Sequence, residues 1–113
     1  MFFNTLLILR LGSAEINKAK TLQDILKYID AVIPFIELPD ITYAKEVKIN
    51  GPALAAINVG ARFGITGSPI PVKASTEWMD RLKNFKLQIH DEKGSVLGEG
   101  QGTSLLGDPL NVV

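Results

Sequence analysis

Glu37 places a carboxylate inside the apolar run Ala31-Val32-Ile33-Pro34-Phe35-Ile36-Glu37-Leu38-Pro39, where an uncompensated buried charge costs several kcal/mol. A cation, a hydrogen-bond donor or a proton must answer it. The candidates are a metal ion, nearby backbone amides, or an arginine such as Arg10 or Arg62. A second unusual stretch is Gly98-Glu99-Gly100-Gln101-Gly102-Thr103-Ser104, whose glycines suit close backbone approach and tight turns. These glycines alternate along a strand and lack the lysine and helix of a phosphate-binding loop, so strand packing explains them better. Thr103 and Ser104 have no histidine base within sequence reach, which leaves a serine-type nucleophile without support. His90 has no second histidine and alternates outward from Phe85, Leu87 and Ile89, as a solvated residue would. Trp78 and Met79 read as core or interface anchors.

Composition limits what these residues can serve. A chain of 113 residues with 46% hydrophobic content fits one domain with one core, residues 1–113. Twelve basic and twelve acidic residues cancel. With no basic stripe to neutralise phosphates, nucleic acid is not an expected partner. The absence of cysteine excludes disulfides, thiolate catalysis and zinc-thiolate sites, and the cytoplasm is the expected location. The apolar stretch at residues 2–9 has no positive leader and is too short for a bilayer, so a core strand is expected and a membrane is not.

The elements that must position these residues follow from pattern and punctuation. Residues 2–11 read as a largely buried strand closed by Gly12. Thr21 with Asp24 resembles a capping box, and Leu22, Ile25, Leu26 and Ile29 recur at helical spacing, so a helix is expected over residues 22–31. Pro34 and Pro39 bracket a short extended segment, residues 35–38. Pro52 starts an alanine-rich helix through Ile57, with Asn58 near its end. Residues 63–67 read as a strand end, followed by an extended connection. Ser75 caps a helix through Leu82. The alternation from Phe85 to His90, the turn Asp91-Glu92-Lys93-Gly94 and the return along residues 95–100 predict a hairpin. Asp108-Pro109 reads as an N-cap followed by proline at N1.

Three segments taken in order carry a family resemblance: Ile33-Pro34-Phe35-Ile36-Glu37-Leu38-Pro39-Asp40, then Asn58-Val59-Gly60-Ala61-Arg62, then Gly100-Gln101-Gly102 with Leu106-Gly107-Asp108-Pro109-Leu110-Asn111. With them the chain resembles the 2-keto-4-pentenoate hydratase and 4-oxalocrotonate decarboxylase group of the fumarylacetoacetate hydrolase superfamily. The resemblance spans nearly all of this sequence and about the middle of a typical member. It implies an α+β fold, a β-dominated portion of a fumarylacetoacetate-hydrolase-like mixed sandwich with short covering helices. It also implies a lyase, hydratase or decarboxylase, acting on a short 2-oxo acid of the 2-keto-4-pentenoate type. A divalent cation, Mg2+ or Mn2+, would polarise the keto group there so that charge can build up as an enolate.

In that family two carboxylates at alternate positions of one strand, and a third on a following strand, hold the cation. Glu37 matches the third. Asn4 and Leu6 fall where the first two belong, so a neutral oxygen and a side chain without a donor atom replace two charges. A cation is then held weakly or not at all. The family's upstream lysine-bearing segment and downstream glycine-rich segment have no counterpart here, and Asp108 stands where histidine is common. Asn58 is the substrate-binding candidate that the resemblance leaves. The alternative reading is a non-catalytic remnant or assembly subunit that keeps the family core. Strand edges left without their neighbours invite another chain, so a homo-oligomer or association with an intact homologue is expected.

Overall fold

The computed structural model describes residues 4–113. Six strands form two antiparallel sheets. The larger contains β1 (Asn4–Leu11), β2 (Ile29–Leu38) and β3 (Phe63–Thr66) in that order, with the two-residue β4 (Ile70–Pro71) pairing β2 beside β3. The smaller is the hairpin of β5 (Lys86–His90) and β6 (Val96–Gln101). Helices α1 (Leu22–Lys27), α2 (Gly51–Ala56) and α3 (Thr76–Asn84) are short, and 3-10 turns fill several connections. The α+β class is as expected.

Caps form at Thr21, Ser75 and Asp108, where the sequence places them, and also at Asn50, which opens α2. Thr21 Oγ1 accepts from Asp24 N at 3.1 Å, Asn50 Oδ1 from Ala53 N at 3.0 Å and Ser75 Oγ from Trp78 N at 3.2 Å. Asp108 Oδ1 accepts from Leu110 N at 2.9 Å and opens the 3-10 turn Pro109–Val112. In the hairpin turn Asp91 Oδ1 accepts from both Lys93 N and Ser95 N, and Gly94 takes the left-handed φ of 82° that closes it. Ser13 also caps a 3-10 turn, Ala14–Lys18.

Three expectations need correction. The helix predicted over residues 22–31 ends at Lys27, and β2 begins two residues later. Leu22, Ile25, Leu26 and Ile29 do share one core, but Ile29 reaches it from a strand. Its β-branched neighbours Val32 and Ile33 pair across to Leu9 and Ile8 of β1, and that ladder outweighs helix periodicity. A β-bulge at Asp30 allows this geometry. Leu11 pairs with Ile29 and Arg10 with Ala31, so the extra residue shifts the alternation and lets Ile29 and Val32 both enter the core.

The strand predicted over residues 35–38 is instead the end of a ten-residue strand that passes through Pro34. The Pro34 carbonyl accepts from Gly67 N at 2.7 Å, so this residue presents its backbone toward the β3 side, just past the end of β3. No donor is needed where one neighbour has stopped and the next has not begun, and the proline therefore breaks no ladder bond.

The third correction concerns β1. Phe2 and Phe3 of the expected strand lie outside the described residues, and β1 is an edge strand, alternating between exposed and half-buried positions, rather than a strand covered on both faces. Leu6 is 46% and Ile8 38% exposed. The core sits at the other end of β2, where Leu26, Ile29, Val32, Val72, Leu82 and Leu110 pack with Trp78 and Met79 against them. No helix among the described residues is long and apolar enough to cross a membrane.

Candidate functional site

Alternation and register bring three of the residues singled out above to one face of the larger sheet. Asn4 lies directly opposite Glu37, and Leu6 lies opposite Phe35, so Asn4, Leu6 and Glu37 share a surface. Gly64 of β3 is the other cross-strand neighbour of Glu37. A Cβ at Gly64 would fall 2.3 Å from two atoms of the Phe35 ring, which shows that this ring leans diagonally across the bare glycine. Glu37 is thus flanked by an amide on one side and an aromatic ring beside the other. A glycine inside a strand pattern is the sequence signal for such a close approach.

The charge at Glu37 is answered differently from the expectation. The residue is half-buried rather than buried, because the covering helices pack on the other end of β2. Its carboxylate accepts from Asn4 Nδ2 at 3.2 Å. Neither proposed arginine reaches it: Arg10 Nε pairs with Asp30 Oδ1 at 2.6 Å, and Arg62 with Asp40 Oδ2 at 3.3 Å. The Arg10 guanidinium is held above its ordinary pKa by its hydrogen bond to Asp30 and the carboxylate charge. Among the described residues, no group of three or more histidines and carboxylates is placed to hold a metal ion. Glu37 offers one carboxylate there, and Asn4 turns its amide nitrogen toward it.

Asn58 is exposed and stands at the same end of the sheet. Asn58, Val59 and Gly60 all have left-handed φ values, 51°, 57° and 78°. For a β-branched residue such as Val59 that conformation costs on the order of 1–3 kcal/mol. Val59 is 68% exposed, so burial does not offset the cost. The turn is held instead by its backbone: Gly60 N donates to Ile57 O at 2.9 Å, Ala61 N to Asn58 O at 3.0 Å, and Asp40 N to Gly60 O at 2.8 Å. That last bond ties the strained turn to the chain three residues beyond Glu37.

The other candidates fall elsewhere. His90 is exposed at the hairpin end, where Nδ1–H donates to the Gly94 carbonyl at 3.1 Å. Of the alternating glycines only Gly102 marks a close approach: its added Cβ would lie 2.4 Å from Leu82 O, whereas Gly98 and Gly100 face open space. Close packing therefore accounts for one of the three. No family model, curated protein or solved structure matched this chain.

Proposed function

We propose that this chain is a cytoplasmic hydratase-like protein whose two sheets are a portion of the fumarylacetoacetate-hydrolase-like sandwich, and that the Glu37 face takes a divalent cation together with a short 2-oxo acid. The observation that carries this reading is the register Asn4↔Glu37 with Leu6 on the same face. It is the disposition the resemblance implies for ligands on neighbouring strands, arrived at through pairing between residues 33 positions apart. When bound, the cation would supply Lewis-acid polarisation of the keto oxygen. Glu37 would hold it through the carboxylate that Asn4 now engages, and Asn4 could turn its amide oxygen inward. Asn58, presented by a strained turn at that end, is the residue proposed to meet substrate.

One negative charge gives weak binding of a cation that loses its water reluctantly. A second reading, a non-catalytic assembly subunit, draws on Leu6, a side chain with no donor atom at a ligand position, and on the Asn4 nitrogen, which already satisfies Glu37. Calorimetric titration with Mg2+ and Mn2+, with and without oxalate or pyruvate, separates the two. The cation reading expects saturable binding that tightens with oxalate and is lost in Glu37→Gln. Heat flat at millimolar cation in every combination removes it and leaves the assembly subunit.

A further inference from the structure

The free edge of β1 is built to pair with another strand. In β2 the Asp30 and Pro34 carbonyls accept from Val72 N and Gly67 N, so residues of that parity address β3 and β4. Ile33, Phe35 and Glu37 therefore address β1, where they meet Ile8, Leu6 and Asn4. Thr5, Leu7 and Leu9 consequently direct their N–H and C=O groups away from the sheet. The strand carries none of the usual guards against pairing: it has no proline or lysine, and its one charge, Arg10, is held by Asp30. An open groove of about 630 Å³ runs along this edge, lined by Leu7 and Leu9 on one side and by Leu87, Gly100, Leu105 and Val113 on the other. Gly100 faces open space, which leaves the hairpin wall of the groove bare.

Surface area indicates how much cover is missing. The chain exposes 8188 Å², whereas a compact monomer of 12.3 kDa exposes about 6,100 Å². The excess, about 2,000 Å², is more than twice what each partner contributes to a standard stable interface. The radius of gyration is 16.6 Å, against about 13 Å for a compact chain of this length.

We propose that a second copy of this chain pairs antiparallel along β1, with Leu7 opposite its own counterpart, Thr5 opposite Leu9, and Leu6 opposite Ile8. The two-fold register is self-complementary, and opposite charge is not required at any position it covers. The combined sheet runs β3-β2-β1-β1-β2-β3. Each groove receives the partner's Leu7 and Leu9, while Leu6 and Ile8 of both copies form one apolar strip on the Glu37 face. A small apolar ligand would fill the groove but leave the edge N–H and C=O groups unpaired; a strand satisfies both. The pairing does not depend on whether the Glu37 face binds a cation.

Native mass spectrometry, hydrogen exchange and one variant test the pairing. The chain is expected to run at twice its monomer mass. The amides of Thr5, Leu7 and Leu9, which face away from β2 and find no partner among the described residues, are expected to exchange at least tenfold more slowly than on dilution to monomer. Leu6→Lys combined with Ile8→Lys sets lysine against lysine across the junction at positions exposed in the monomer, and is expected to give a folded monomer by circular dichroism and mass. A wild-type chain that is monomeric at high micromolar concentration overturns the proposal. So does a dimer whose Thr5, Leu7 and Leu9 amides exchange freely, or one that persists unchanged in the double lysine variant, because the contact then lies elsewhere.

Discussion

Gly102→Ala should unfold this protein more readily than any other single methyl group added at a glycine of the β6 strand and its exit. The added Cβ would lie 2.4 Å from the Leu82 carbonyl oxygen and 2.5 Å from that of Lys83, whereas ordinary contact begins at 3.4 Å. Both oxygens belong to the backbone of α3, so no side-chain rotation relieves the clash. The helix must retreat by about 1 Å, and it carries Leu82, which is 2% exposed, together with Trp78 and Met79 away from the core. Gly102 N also donates to Phe85 O at 3.0 Å, a bond that the same displacement would stretch. The expected loss is about 3 kcal/mol, the upper part of the range for overpacking. For a domain of this size that lowers the melting temperature by about 10 °C or more. Gly98→Ala is the control: its Cβ meets nothing within 4 Å, and a strand alanine there should be neutral or stabilising by up to about 1 kcal/mol. Urea unfolding of both variants, read by circular dichroism, tests the comparison. If Gly102→Ala unfolds within 0.5 kcal/mol of wild type, roughly the effect of a neutral surface change, then β6 does not approach α3 as described.

Leu110→Ala should cost about 2–5 kcal/mol, because it empties a fully buried site between α1 and α3 in a core with few other members; an unchanged urea midpoint would place the chain terminus outside the core. Glu37→Gln should leave thermal stability within about 1 kcal/mol, since a half-buried amide can keep a partner in Asn4, while removing any upward melting shift produced by Mn2+. Asp24 is held below its ordinary value of 3.8 by hydrogen bonds from Lys27 and then Thr21. Its contribution to stability is therefore present above 3.8 and is lost as pH falls through the lowered folded value. Melting curves of Asp24→Asn and wild type should accordingly separate near neutrality and converge in strong acid. Lys27, raised by the same pair, gives the mirror case: its contribution holds below the ordinary 10.5 and fades as pH rises through the raised folded value.

What the sequence determined by itself was local. Caps at Thr21, Ser75 and Asp108 depend on a side chain reaching an amide two or three residues away, and the hairpin depends on alternation around a four-residue turn. Such contacts are complete within a short window, so residue type and spacing identify them.

What only the tertiary structure decided was non-local. Residues 29–33 carry both a helical spacing and β-branched side chains, and pairing with β1, across separations from Leu11↔Ile29 to Ile8↔Ile33, selects the strand. Pro34 sits within a strand because the neighbouring strand happens to end beside it, a fact about β3 rather than about the proline. Glu37 looked buried because its sequence neighbours are apolar. Its exposure depends instead on where α1, α3 and the final turn pack, and they cover the opposite end of β2. Its hydrogen-bond partner was Asn4, not an arginine, because antiparallel register fixes the cross-strand neighbour regardless of which side chain carries the complementary charge.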